Sequence, residues 1–255
     1  MGQRIKNFIE CMKKTPSEQQ KNGGQIKGVI FDVGNTLLKV SNYDVDSWII
    51  GLAKKRHARI LGSRYADVGY TDDGLKNDFE VELKRINNLM IPSLERGKLS
   101  VPQFELEIAR ILSGGAADQN VDWAAFFSGT LERNEEVINI AANLHKKGIK
   151  TAYLSNLDAV QNEIVYEMVG GSANFNFQIP SYKLGFRKQE PEAYIESADL
   201  MGFAAYTEAI KGVLLIDDSP KYIELAKSVG MQTITFNGNV EELRKNLDLK
   251  LAVHV

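Results

Sequence analysis

Ile26-Lys27-Gly28-Val29-Ile30-Phe31-Asp32-Val33-Gly34-Asn35-Thr36-Leu37-Leu38 is the stretch from which the architecture can be read. Its first half is a short apolar run preceded by Gly23-Gly24. That is the length and bounding expected of a buried strand. The run feeds directly into an acid, Asp32. In an open parallel sheet, ligands bind at the carboxyl ends of the strands, so Asp32 is the first candidate for chemistry.

Downstream of residue 131, strands and helices alternate. A helix is expected over Glu135–Lys147, stopped by Gly148, then a strand over Lys150–Leu154. Helix Ala159–Val169, a short strand near Phe175–Ile179 and helix Pro191–Met201 follow. Strand Val213–Ile216, helix Pro220–Val229, strand Gln232–Phe236 and helix Val240–Leu247 complete the series. Such alternation implies a parallel, doubly wound sheet.

Residues 42–131 break this rhythm and read as almost wholly helical. Val45, Trp48, Ile49, Leu52 and Ile60 mark one helix, and Leu75, Phe79, Leu83, Ile86 and Met90 a second. Ser100 with Gln103 forms a capping pattern ahead of a third, and Trp123 to Leu131 a fourth. The block reads as an insertion forming a lid over a core made of 26–41 and 132–255. Residues 1–25 are a mostly polar leader.

Composition narrows the function classes. The 255 residues carry a net charge of −2, so no global positive field draws in nucleic acid or an anionic membrane. No apolar stretch reaches the length of a membrane span. The single cysteine, Cys11, allows no disulfide within the chain, and three scattered histidines offer no metal site. A cytoplasmic protein is expected.

The residues just past the strands form a set: Asp32, then Ser155-Asn156, then Asp217-Asp218, with Lys188 in the loop before helix Pro191–Met201. Carboxylates gathered at one point repel unless a cation lies between them. Oxygen ligands favour a hard ion, and Mg²⁺ takes one or two carboxylates along with water and phosphate oxygens. Mg²⁺ and Lys188 would remove the repulsion between Asp32 and a phosphate dianion. Ser155 and nearby amides would donate to its oxygens, leaving Asp32 free to attack phosphorus.

Four motifs carry a resemblance to a known family. Phe31-Asp32-Val33-Gly34-Asn35-Thr36-Leu37-Leu38 resembles the first motif of the haloacid dehalogenase-like (HAD) hydrolases, and Tyr153-Leu154-Ser155-Asn156 the second. Lys183 to Pro191, containing Arg187-Lys188, resembles the third. Leu214-Leu215-Ile216-Asp217-Asp218-Ser219-Pro220, continued by Ala226 to Met231, resembles the fourth. The resemblance implies a Rossmann-like HAD core with a smaller all-helical cap. It implies a Mg²⁺-dependent phosphatase acting on a small phosphorylated metabolite through an aspartyl-phosphate. Asp32 would be the nucleophile and a metal ligand. Gly34 would offer its backbone carbonyl to the metal. Asp218 would ligate directly and Asp217 support it. Ser155, Asn156 and Lys188 would hold the phosphoryl group.

Two departures stand out. Family phosphatases usually place a second Asp, the general acid–base, where this chain has Gly34. Some resemble this chain in having Asp-x-Gly-Asn. Gln189 replaces the usual proline after the lysine, a change expected to matter little. The alternatives on the same scaffold are a catalytically impaired binding protein, a phosphotransferase and a dehalogenase. His57, in Lys54-Lys55-Arg56-His57-Ala58-Arg59, reads as part of a solvated helix face.

Overall fold

A computed structural model describes residues 24–61, 72–113, 121–204 and 207–252. The leader, apart from Gly24 and Gln25, lies outside the described residues, as does the side chain of His57.

The strands are β1 (Gly28–Phe31), β2 (Leu38–Val40), β3 (Leu131–Arg133), β4 (Lys150–Ser155), β5 (Phe177–Pro180), β6 (Val213–Asp217) and β7 (Gln232–Thr235). Five of them form one sheet in the order β5-β4-β1-β6-β7, with every neighbouring pair parallel. This is the doubly wound sheet that the alternating pattern predicts. β1 lies at its centre, with Phe31 opposite Tyr153 on one side and Ile216 on the other.

Among the described residues, six α-helices lie between β2 and β3: α1 (Val45–Leu61), α2 (Asp72–Asp78), α3 (Glu80–Arg85), α4 (Ile91–Glu95), α5 (Val101–Ser113) and α6 (Trp123–Ser128). The sheet is dressed by α7 (Glu135–Lys146), α8 (Ala159–Met168), α9 (Ser181–Leu184), α10 (Pro191–Leu200), α11 (Pro220–Ser228) and α12 (Val240–Ala252).

Strand side chains alternate between faces, and the two cores follow that alternation. Val29, Phe31, Tyr153, Leu214 and Ile216 pack with Val137, Ala141 and Leu144 of α7, Val165 of α8 and Leu243 of α12. Ile30, Ala152, Leu154, Val213 and Leu215 pack with Ala193, Tyr194 and Ala198 of α10 and Ala226 of α11. Helices therefore cover both faces, which is why these strands carry near-continuous apolar runs.

The inserted helices bury a third core of their own, with Ile49, Leu75, Ile86, Phe104, Ile108 and Trp123 inside. Trp48 and Phe79 are partly buried against it. The capping pattern is realised: Ser100 N donates to Gln103 Oε1 at 3.0 Å and Gln103 N to Ser100 Oγ at 3.4 Å. The run expected from Leu75 to Met90 is interrupted at Phe79 and widens over Ile86–Met90, where Ile91 N donates five residues back to Ile86 O. Pro92 follows in the first turn of α4 and has no N–H to donate back to Asn88, so the hydrogen-bond ladder is broken there.

The sequence reading needs one correction here. No strand was expected in 42–131, yet β3 opens at Leu131 and pairs antiparallel with β2, with Val40 opposite Leu131 and Leu38 opposite Arg133. Three-residue strands are too short to show a period. Helix α6 stops at Ser128, with Gly129 as its C-cap, which frees Leu131 for the ribbon.

Candidate active site

β1, β4 and β6 are adjacent, so residues at their carboxyl ends must meet. Asp32 follows β1, and its N–H donates to Ile216 O of β6 at 2.8 Å. Asp217 is the last residue of β6 and Ser155 the last of β4. The first two are buried and Ser155 is half-buried. Asp32, Asp217 and Asp218 bring a carboxylate oxygen each to within 4.8 Å of one another. Gly34, half-buried, lies in the turn two residues past Asp32, and a side chain there would meet nothing closer than Val40 Cγ2 at 3.6 Å.

Lys188 enters from the loop between α9 and α10. Its Nζ lies 2.5 Å from Asp32 Oδ1 and 2.5 Å from Asp217 Oδ2, and it is only 3% exposed. The electrostatics follow from that crowding. Burial pushes the Asp32 carboxyl up to about 7; the Lys188 ammonium opposes the rise, while Asp217 and Asp218 add to it. Burial works against the charge on Lys188, but the two carboxylates beside it outweigh that and raise its pKa. Asp218 is also raised, by burial and by Asp217.

The loop holding Lys188 is fixed at several points. Its N–H donates to Asn156 Oδ1 at 2.8 Å, and its carbonyl accepts from Tyr194 OH at 2.8 Å. Asn156 Nδ2 donates to Gln189 Oε1 at 3.0 Å, and Gln189 Nε2 donates to Tyr222 OH at 3.1 Å. The Tyr222 ring lies 4.4 Å from Lys188 Nζ. Asn156 therefore spends its carbonyl and one amide hydrogen on this loop, leaving one hydrogen for a ligand.

Gln189, whose change is expected to matter little, makes two hydrogen bonds that join the residue after β4 to α11, contacts the sequence does not signal. Tyr194, Tyr222 and Asn35 were also missed. Asn35 adopts a left-handed backbone, φ 54°, its Oδ1 accepts from Val40 N at 3.3 Å, and its side chain opposes the upward shift of the Asp218 carboxyl. Only its neighbourhood to Asp32 hinted at a role; nothing local flagged the two tyrosines. Asp158 caps α8 with a complete capping box, receiving Gln161 N at 2.9 Å, and takes Trp123 Nε1 at 2.7 Å.

The inserted helices reach the same loop. Arg187 Nε pairs with Glu95 Oε2 at 2.6 Å, and Arg96 with Glu190 at 2.8 Å. Glu190 also accepts from Arg187 N at 2.9 Å. Gly97, φ +67°, lies so near Tyr182 that a Cβ would fall 2.6 Å from its carbonyl oxygen. Glu95 also lines a cavity of about 350 Å³ with Tyr43, Asp44, Asp46, Asn87 and Ile91.

A doubly wound sheet whose adjoining strand ends present an acid and an acid pair, with a buried loop lysine between them, defines an α/β protein with an acid-lined site at the carboxyl ends of its strands. The haloacid dehalogenase-like hydrolase family matches residues 26–230, and the chain belongs to it. Solved structures agree on the fold. A HAD family enzyme from Bacteroides thetaiotaomicron is 16% identical with a TM-score of 0.62, over 85% of this chain and 96% of that one. A 2-haloacid dehalogenase from Pseudomonas syringae is 17% identical with a TM-score of 0.57, over 88% and 99%. A HAD phosphatase from Thermococcus onnurineus is 17% identical with a TM-score of 0.55, over 87% and 98%. At such identities the likeness is one of fold. No curated protein matches the chain.

Proposed function

We propose that the protein is a Mg²⁺-dependent phosphomonoester hydrolase for a small phosphorylated metabolite, with Asp32 as nucleophile. The observation that carries this reading is the meeting of Asp32, Asp217 and Asp218 around one lysine. Three acids against a single ammonium leave excess negative charge in a buried site, and an all-oxygen donor set suits a hard divalent ion. Asp32, Asp218 and the Gly34 carbonyl would hold it, with Asp217 in support. Bound there, it would supply charge neutralisation for an incoming phosphate. The Bacteroides enzyme has also been solved in complex with magnesium and inorganic phosphate.

The chain's own residues then divide the work. Lys188, held beside Asp32, neutralises the phosphoryl oxygens. Ser155 and the spare amide hydrogen of Asn156 donate to them. Asp32 attacks phosphorus, the ester oxygen leaves, and an acyl phosphate remains on Asp32 until water cleaves it. No side chain at position 34 protonates the leaving oxygen, so departure depends on the alcohol's own acidity or on water. Activated esters should therefore outpace alkyl ones.

In this reading residues 42–131 form the cap, whose pairs Glu95–Arg187 and Arg96–Glu190 abut the Lys188 loop. Among the described residues no helix is long and apolar enough to cross a membrane, and a cytoplasmic setting is in keeping with the single cysteine.

The test is phosphate release from sugar phosphates, nucleotides and p-nitrophenyl phosphate, with and without Mg²⁺, with Asp32→Asn as control. Metal-dependent release abolished by the substitution is expected. Release that survives Asp32→Asn would sink the assignment. The absent side chain at Gly34 favours a second reading, a binder of metal and phosphate without turnover. Binding of both with no release from any ester would select it.

A further inference from the structure

We propose that Gln189 and Tyr222 are positioning residues that hold Lys188 against Asp32. The inference rests on the phosphatase reading for its catalytic meaning.

The polarity of the chain of contacts is fixed at one end. The backbone N–H of Lys188 can only donate, so Asn156 must face it with Oδ1. Asn156 Nδ2 must then point to Gln189, whose Oε1 accepts. The Gln189 amide is thereby set with Nε2 toward Tyr222, whose hydroxyl oxygen accepts. No member can flip without losing its partner. The chain begins at the backbone of Lys188 and ends on the residue whose ring lies 4.4 Å from the same lysine's ammonium. Main chain and side-chain tip of Lys188 are thus tied to one frame.

That frame spans three elements distant in sequence: the end of β4, the loop before α10, and α11. Proline would have stiffened this loop by locking its own φ, but it would offer no side chain to Asn156 or Tyr222. Gln189 leaves φ free and ties the side chain instead. The loop's stiffness is therefore conditional on Asn156 and Tyr222. A lysine with many rotamers needs such support to hold a hydrogen bond to a buried nucleophile.

Two measurements on the full chain separate this from a structural tie. Amide hydrogen exchange at Lys188 reads the clamp without turnover. Gln189→Ala should speed it about tenfold, the loss expected for one or two net hydrogen bonds, and Tyr222→Phe should speed it less. Unchanged exchange in Gln189→Ala overturns the clamp, whatever the enzyme does.

The second measurement is inorganic phosphate affinity with Mg²⁺ present, by calorimetry. Gln189→Ala should weaken it about tenfold in the native background and by much less in Lys188→Met, where only its contact with Asn156 remains to act on phosphate. An equal loss in both backgrounds overturns positioning. Faster exchange in a protein that neither binds nor releases phosphate refutes the phosphatase reading and reduces the contact chain to a structural tie, which also overturns the positioning role.

Discussion

The Lys188 ammonium lies 2.5 Å from Asp32 Oδ1 and 2.5 Å from Asp217 Oδ2, one cation shared by two buried acids. Removing one partner from a buried ionic group costs roughly 3–5 kcal/mol, because the remaining charge is left without compensation. Lys188→Met should lose about that much stability in EDTA. Mg²⁺ should restore part of it, since a second cation source then faces Asp32 and Asp217. Urea melts with and without the ion read both. An equal loss in the two conditions would show that no cation enters among the acids.

The Asp32 carboxyl is raised from 3.8 to about 7, chiefly by burial. The native state therefore holds a proton that the unfolded chain has already released. Without a divalent ion, the stability tied to that proton is complete below pH 3.8 and is lost as pH rises through about 7. The cost is roughly 1.4 kcal/mol for each pH unit between the two values. Asp32→Asn imitates the protonated form. In EDTA its stability relative to the native protein should grow from pH 4 to pH 8, and denaturant melts across that range check it. A constant difference would contradict the displaced ionisation.

With Asp32 as a ligand, as proposed, metal uptake displaces the same proton. Mg²⁺ affinity should therefore rise with pH up to about 7 and flatten above it. Calorimetry in buffers of different ionisation enthalpy should detect about one proton released per ion below that pH. Uptake without proton release would place the ion away from Asp32.

Gly34 has an ordinary backbone conformation and open space, with only Val40 Cγ2 at 3.6 Å from a Cβ. Gly34→Asp should fold with a loss of about 1 kcal/mol in EDTA, since it adds a carboxylate beside Asp32, Asp217 and Asp218, and with a smaller loss in Mg²⁺. It should raise kcat on alkyl phosphates about 10²-fold, at the lower end for general acid–base help, with less gain on p-nitrophenyl phosphate, whose leaving group needs no proton. Equal gains on both esters, or none, would mean that proton delivery does not limit the native enzyme.

The Glu95–Arg187 pair is 14% and 21% exposed. Arg187 opposes the upward push that burial gives the Glu95 carboxyl. Arg187→Ala should cost about 1 kcal/mol, the upper end for pairs near the surface, and speed hydrogen exchange in α4 more than in α10. Uniform exchange across both helices would show that the pair does not join them.

The parts of this site that were legible in the sequence share one property: their position along the chain already fixes their place in space. Asp32, Ser155 and Asp217 each end or follow a buried strand, and parallel neighbours bring such residues together without further information. Lys188 was legible through its motif. The contacts of Gln189 were not legible because its partners, Asn156 and Tyr222, stand 33 positions away on either side, and no local pattern records them. The β2–β3 ribbon escaped notice because three residues cannot display a period.

That ribbon has a further consequence. Val40 and Leu131 face each other across it, so the chain leaves and re-enters the core at neighbouring points. The core thus experiences the intervening helices as a loop whose ends are already joined, and closing such a loop costs only a logarithm of its length. Segments of very different size could be closed between these two residues at little entropic expense, the sheet itself being unaffected by their length. In this chain the insertion is joined covalently at one place and held by side chains at another, through Glu95–Arg187 and Arg96–Glu190 beside the Lys188 loop.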